Sequence, residues 1–239
     1  MRGSCGQGCR GRNVKRYIEA VAVQIGKDLR LEWRSKDAIN AMLFLALLVV
    51  VLFSLAFDPT RAEARQIAGG VLCVAILFAA TSALNQAWSR ELRGGVLDAQ
   101  RMSPSPPSAL LLGKVVANFL VVSSVELVLA PLFTIFYNLD PKGNAWLLLA
   151  VLPLGTWALV GNGVFFAALS MRARSRELLL PLLLFPIFIP ALLAMTSAAG
   201  AVFTGESDPV LWIRLLAGYD VIFTTAAVLL FGLVLNSEG

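Results

Sequence analysis

The 239-residue sequence contains no histidine and only three cysteines, and charged residues make up 15% of it. Without histidine, the chain lacks the commonest general base and the commonest metal ligand. Soluble domains carry about a quarter charged residues, whereas this chain is 58% hydrophobic with a mean hydropathy of +0.76. A soluble domain of this size could not bury so much apolar surface. The composition excludes an ordinary cytosolic enzyme, a disordered protein and a small disulfide scaffold, and it predicts a polytopic helical membrane protein.

The cysteines do not predict a metal site. Cys73 lies in an apolar run, where a free cysteine packs as a small hydrophobe. Cys5 and Cys9 are spaced C-x-x-x-C within a Gly/Arg-rich head, residues 1–13. Because no second pair of ligands accompanies them, a zinc site is disfavoured. We expect a disordered head with two reduced thiols.

Residues 14–36 show helical periodicity, but basic side chains interrupt the apolar positions too often for a membrane span. The pattern predicts an amphipathic helix that lies in the membrane interface, with Trp33 at the level of the headgroups. The alternative is a soluble helix in a short domain. The interfacial interpretation is favoured because the first predicted span follows at once.

Six apolar stretches follow, and each is long enough to cross a bilayer. They predict an all-α integral membrane domain over residues 37–239. The predicted spans are residues 38–57, 67–87, 110–137, 145–170, 178–199 and 210–235. The fifth span carries Pro181, Pro186 and Pro190, which predicts a broken or flexible span that faces the interior of the bundle. A helix that is merely kinked is the alternative.

Basic residues are distributed unevenly between the two sides of the predicted bundle. One side holds the basic head and the loop residues Arg90, Arg93, Arg101, Arg172, Arg174 and Arg176. The other side holds Arg61, Arg65 and Lys142, together with Arg214 near the end of a span. The positive-inside rule therefore places both termini in the cytoplasm. The net charge of +5 is explained by membrane orientation, and we expect no binding of nucleic acid.

The longest internal loop contains a polar segment, Arg90–Pro104, with Leu97 and Met102 as apolar contacts. Prolines at its end stop any helix and stiffen the return to the third span. A short helix tied rigidly to two spans could transmit a push from a cytoplasmic partner. The alternative is a basic loop without a partner. The sequence has no Walker-type phosphate loop, so ATP hydrolysis by that route would require a separate subunit.

Polar residues within the spans are candidates for a specific role. Glu126 lies near the middle of the third span, where a carboxylate costs about 2.5–3.5 kcal/mol. A hydrogen bond to a neighbouring helix is favoured over a role in a conduit. Asp220 needs a partner from another span, from Tyr219 or from a second subunit, because Arg214 lies on a different face of the same helix. Arg214 is expected to snorkel to the surface. No catalytic set is visible, and we expect no enzyme activity in this chain.

The loop and the proline-rich span resemble the CcmB family, the permease subunit of the ABC-type haem exporter of cytochrome c maturation. The resemblance runs from about Lys27 to the C-terminus. Its short pieces follow one another in a specific order: Lys27–Glu32, Ala56–Pro59, Leu84–Asn85, Glu91, Gly95, Leu97, Asp98, Pro104, Leu112–Lys114, Glu126–Phe133, Pro181–Pro190 and Tyr219–Asp220. The chain departs from the family at Gln100 and Arg101, where the family has an apolar run.

The resemblance implies a fold like that of type II ABC exporters, in a homodimer that works with two copies of a separate ATPase. The segment that couples to the ATPase would comprise Arg90, Glu91, Arg93, Gly95, Leu97, Asp98, Met102 and Pro104. The ATPase would bind ATP, this chain would bind no cofactor, and haem would be the transported or handled species. The lack of histidine fits a subunit that does not ligate haem through imidazole.

The resemblance also implies three further partners: a haem-handling membrane protein, an external haem chaperone and the lipid of the bacterial inner membrane. Other functions stay open at this point. The chain could be an ABC permease for a drug, a lipid or a polysaccharide, or a membrane scaffold. A stand-alone ion-coupled carrier that uses Glu126 and Asp220 is disfavoured, because no inverted repeat is evident.

Overall fold

The computed structural model describes residues 6–57, 62–87, 106–137, 145–170, 176–205 and 207–236. These residues form seven α-helices and one short 3-10 helix, Ala145–Leu147, and they contain no strand. The α-helices are α1 Gly6–Ser35, α2 Asp37–Ala56, α3 Ala62–Ala87, α4 Pro107–Phe136, α5 Leu148–Leu169, α6 Arg176–Thr204 and α7 Val210–Asn236.

Helices α2 to α7 are long and apolar enough to cross a membrane. The apolar windows are Ile39–Ala56, Gln66–Ala87, Pro107–Phe136, Leu148–Leu169, Leu184–Thr204 and Val210–Gly232. The prediction of an all-α integral membrane protein with six spans is therefore confirmed. The fifth window differs most from the predicted span, since it ends at Thr204 and not at residue 199.

Helix α1 begins at Gly6, so residues 6–13, which the sequence assigned to a disordered head, are helical. Extending a helix that already exists gains one hydrogen bond for each residue fixed, so the extension avoids the cost of nucleation. At its other end α1 stops at Ser35, and α2 starts at Asp37. The single residue between them, Lys36, has the left-handed conformation with φ of 52°. The two helices are thus joined by one residue.

The exposed face of α1 carries both basic and apolar side chains. They are Lys15, Arg16, Ile18, Val23, Arg30, Leu31, Trp33 and Arg34. The other face packs against α4. This mixture is typical of a helix at a membrane interface, and that location stays a prediction.

Helices α3 and α5 form the centre of the bundle, because 61% and 56% of their apolar windows are buried, against 22% for α2 and α7. Glycines allow the central helices to approach closely. A Cβ atom at Gly69 of α3 would lie 2.6 Å from the backbone nitrogen of Gly200 in α6. A Cβ atom at Gly163 of α5 would lie 2.2 Å from a methyl carbon of Leu84.

The peripheral helices expose large apolar side chains on their outer faces. On α2 these are Phe44, Leu48, Leu52 and Leu55, and on α7 they are Leu211, Leu215, Val221, Ile222 and Leu229. In water such a surface would associate or aggregate. The hydrocarbon of a bilayer covers it without penalty, which agrees with the composition.

Helix α6 is continuous from Arg176 to Thr204, so the expected break at the prolines is absent. Pro186 and Pro190 are exposed, which corrects the expectation that the proline-bearing face points into the bundle. The side chain of Pro181 lies outside the described residues. Phe188 and Ala191 occupy the buried face of the helix. Packing of that face holds the helix together, and Pro186 and Pro190 lie on its exposed face.

Candidate functional site

A buried lysine lies where three helices meet. The side chain of Lys114, in α4, is 2% exposed. Its ammonium group donates a hydrogen bond of 2.9 Å to the carbonyl oxygen of Ala87, the last residue of α3. It also lies 3.4 Å from a carboxylate oxygen of Asp28 in α1, and forms an ion pair with it. We call these three residues the Lys114 junction.

The Ala87 carbonyl is the last one that the structure describes in α3. The last four carbonyl groups of an α-helix have no intrahelical donor, and a cation near them is stabilised by the helix dipole. Lysine is almost never fully buried unless it is paired. A lysine within the apolar start of α4 was therefore a usable signal, but Lys114 was named only as part of the Leu112–Lys114 motif of the resemblance and was assigned no partner.

Close packing of α1 on α4 brings Asp28 to the lysine. A Cβ atom at Gly113 would lie 2.7 Å from the Cβ atom of Gln24, so the helices cross at this glycine. Gln24 is buried, and its side-chain amide donates a 3.0 Å hydrogen bond to Asp28. Lys27 lies 3.5 Å from the other carboxylate oxygen of Asp28. The Asp28 carboxylate is thus held on both sides.

The predicted coupling segment lies outside the described residues. This applies to all of its members: Arg90, Glu91, Arg93, Gly95, Leu97, Asp98, Met102 and Pro104. The structure describes the two points from which the segment departs, namely Ala87 at the end of α3 and Pro106 before α4. The Lys114 junction includes the first of these points, Ala87, and Lys114 lies eight residues after the second, Pro106.

Glu126 takes part in a contact between helices. It is 6% exposed, and the hydroxyl group of the buried Thr156 in α5 donates a hydrogen bond to its carboxyl group. Ser124, two residues earlier in α4, donates a hydrogen bond to the carbonyl oxygen of Val121. The carboxyl group of Glu126 therefore joins α4 to α5, and a role in transport stays a prediction.

Asp220 in α7 is 7% exposed, and neither of its carboxylate oxygens has a hydrogen-bond partner among the described residues. The neighbouring Tyr219 hydroxyl donates a 2.8 Å hydrogen bond to the carbonyl oxygen of Ile187 in α6. It accepts a 3.1 Å hydrogen bond from Asn162 in α5. Arg214 is exposed. Tyr219 thus joins three helices, whereas the structure describes no such contact for the buried Asp220 beside it.

Asp220→Asn is expected to leave the thermal stability of the protein unchanged or slightly raised, because a buried carboxylate without a partner costs free energy. Tyr219→Phe is the matched comparison, since it removes two hydrogen bonds and is expected to cost about 1–3 kcal/mol. Thermal unfolding in detergent checks both. Equal destabilisation by the two variants would show that Asp220 has a structural partner beyond the described residues.

The described residues contain no group of three or more His, Cys, Asp or Glu side chains that could hold a metal ion. Their buried polar contacts join helices to one another. The fold and its polar contacts define a multi-pass, all-helical integral membrane protein of six spans, with an additional helix packed at one end of the bundle.

The model of one protein family, described as CcmB protein, matches residues 19–235, and the chain belongs to the CcmB family. Three similar proteins carry the name Heme exporter protein B. The one from Rhodobacter capsulatus is 31% identical over 169 residues, 71% of this chain and 77% of the relative. The one from Pseudomonas aeruginosa is 30% identical over 207 residues, which are 85% of this chain and 92% of the relative. The one from Paracoccus denitrificans is 30% identical over 167 residues, which are 70% of this chain and 76% of the relative.

Proposed function

We propose that this chain is the transmembrane permease subunit of an ATP-driven ABC transporter that exports or delivers haem for cytochrome c maturation. The observation that carries the proposal is the family match over residues 19–235, together with relatives named Heme exporter protein B. The chain itself is not catalytic in this proposal. A separate ATPase subunit binds and hydrolyses ATP, and this chain transmits the resulting motion into the bilayer.

The coupling segment within residues 90–104 is the contact with that ATPase. Its apolar members, Leu97 and Met102, would enter a groove on the ATPase, and its charged members would surround them. The position of its ends supports this role, because Ala87 and α4 are held together at the Lys114 junction. Both termini and this segment lie on the cytoplasmic side in the proposed orientation, since the basic residues are concentrated there.

The proposed assembly lies in the bacterial inner membrane. It comprises two copies of this chain, two ATPase subunits and a haem-handling membrane protein, and an external chaperone receives the haem. The membrane domain is residues 37–239, and α1 lies in the interface before it. Haem is cargo, so this chain needs no durable haem ligand, which agrees with its lack of histidine.

Leu97→Asp and Glu91→Ala are expected to uncouple the transporter without unfolding it. Loss of one central interface anchor lowers the coupled rate of ATP hydrolysis by at least about tenfold. The measurement is ATP hydrolysis by the co-purified assembly in liposomes, with Leu97→Met as the conservative control. Hydrolysis in Leu97→Asp at the rate of the control would contradict the proposed coupling segment.

The composition of the assembly is tested by purifying the tagged chain from its native membrane in mild detergent and identifying the proteins that accompany it. We expect a P-loop ATPase together with a haem-handling membrane protein. An ATPase without the haem-handling protein would indicate a different cargo. A stable chain without any ATPase would contradict the proposed function.

A further inference from the structure

We infer that Lys114 is a positioning residue for the coupling segment: its one ammonium group links the end of α3, the start of α4 and the helix α1. The inference rests on the proposed function, because it takes residues 90–104 as the segment that contacts the ATPase. It assigns to the Lys114 junction the task of holding both ends of that segment in a fixed position against α1.

The first link closes the loop that contains the segment. The hydrogen bond between Lys114 and the Ala87 carbonyl oxygen is 2.9 Å long and joins residues 27 positions apart in the chain. A hydrogen bond from an ammonium group to a terminal helix carbonyl is charge-assisted and is stronger than a neutral one. Lys114 lies seven residues after the start of α4, about 10 Å along the helix. The bond therefore ties the end of α3 to α4 at a point about 10 Å from the start of α4.

The second link extends from the loop to α1. Asp28 pairs with Lys114 across 3.4 Å, and Gln24 holds the carboxylate with a 3.0 Å hydrogen bond. Helix α1 cannot slide freely on α4, because Gly113 places the backbone of α4 directly against Gln24. A displacement of the coupling segment would therefore displace α1.

Helix α1 passes such a displacement to the first span. The single residue Lys36 separates α1 from α2, and its amide donates to the carbonyl oxygen of Glu32 while its own carbonyl accepts from Asn40. Backbone hydrogen bonds thus continue across the connection between α1 and α2. Rigid elements joined in this way transmit motion as units. The path runs from the loop through Lys114 and Asp28 to α1, and then to α2.

A purely structural lysine would behave differently from a positioning one. Removing one partner of a buried ion pair is costly when it leaves the other charge without compensation, but the Asp28 carboxylate is 16% exposed and keeps its contacts with Gln24 and Lys27. Lys114→Met keeps most of the side-chain volume, and the contact at Gly113 still holds α1 on α4. We therefore expect Lys114→Met to fold and to insert, while the end of α3 becomes less firmly held.

Two readouts on one set of variants test the inference. The first is amide hydrogen exchange of the full-length chain in detergent without ATPase. In Lys114→Met, exchange at residues 84–87 and 24–32 should be at least about tenfold faster, whereas exchange in α5 should be unchanged. The second is ATP hydrolysis by the assembly with its ATPase, which should fall by about tenfold.

Three variants separate the two links. Asp28→Asn keeps the hydrogen bond from Lys114 to Ala87, so it should loosen α1 and leave residues 84–87 protected. Lys114→Arg keeps a cationic donor and should restore coupling in part. The exchanged pair Asp28→Lys with Lys114→Asp should not restore coupling, because an aspartate carboxylate cannot donate to the Ala87 carbonyl oxygen. If Lys114→Met does not fold, Asp28→Asn tests the link to α1 and the exchanged pair tests the link to Ala87.

Leu97→Asp is the reference that separates the inference from the proposed function. Uncoupling by Leu97→Asp but not by Lys114→Met would overturn the inference and leave the proposed function intact. Unchanged exchange at residues 84–87 in Lys114→Met would also overturn it. Normal coupling in both variants would overturn the proposed function, and the inference with it.

Discussion

Replacing Gly69 with valine is expected to prevent correct assembly of the bundle. Even a single Cβ atom at this position would lie 2.6 Å from the backbone nitrogen and 3.0 Å from the Cα atom of Gly200. The obstacle is backbone and not a flexible side chain, so α3 and α6 must separate to accommodate it. Overpacking typically costs about 1–3 kcal/mol. We expect a larger effect here, because α3 lies at the centre of the bundle.

The adjacent Gly70 provides a matched control, because a Cβ atom there would have no neighbour within 4 Å. Gly70→Ala is expected to be neutral, or to stabilise α3 by about 0.5–1 kcal/mol through its better helix propensity. Size-exclusion chromatography after a series of heating steps compares the two variants in one background. If Gly69→Val resists heating as well as Gly70→Ala does, then α3 and α6 do not pack as described.

Thr156→Val is expected to destabilise the protein more than Thr156→Val combined with Glu126→Leu. The single change leaves the buried Glu126 carboxyl group without the hydroxyl donor of α5. An unsatisfied buried polar group costs about 1–3 kcal/mol. Removing both partners leaves an apolar contact of similar volume, and that replacement is often nearly neutral.

A double-mutant cycle on thermal unfolding in a bilayer mimetic measures this interaction. Glu126→Leu alone completes the cycle. Glu126→Gln is a fourth variant, and we expect it to be close to wild type because its amide oxygen still accepts from Thr156. Strict additivity of the Thr156 and Glu126 changes would contradict the described contact between α4 and α5.

The six spans could be predicted from the sequence because a run of about 20 apolar residues has few alternatives in an ordered protein. The signal is local and needs no knowledge of the neighbouring helices. The same local signal placed the start of α3 and the end of α6 only within about five residues, since helix ends depend on capping and packing. The family resemblance came from the order of short polar motifs, and the family match confirms it.

The Lys114 junction could not be predicted in the same way. Lys114 and Asp28 are 86 residues apart, and no local pattern relates them. The burial of a lysine indicates that a partner exists, but the position of α1 against α4 decides which residue it is. Pairing of Glu126 with Thr156 depends on helix packing in the same way.

The proline-rich span shows the limit of reasoning from residue type alone. Pro186 and Pro190 are four residues apart, so their common helix face follows from the sequence. Whether that face points inward or outward depends on the helices that surround α6. The intrinsic tendency of proline to break a helix suggested the interior, where freed carbonyl groups find partners. In the structure the apolar residues Phe188 and Ala191 take the interior instead.

The most direct test of the proposed function is covalent haem attachment to c-type cytochromes in cells from which this chain has been deleted. Haem staining of membrane proteins after denaturing electrophoresis measures it. We expect deletion to abolish the stained c-type cytochromes, the wild-type chain to restore them, and Leu97→Asp to fail to restore them although it is present in the membrane. Normal staining of c-type cytochromes in the deletion strain would contradict a role of this chain in haem export for cytochrome c maturation.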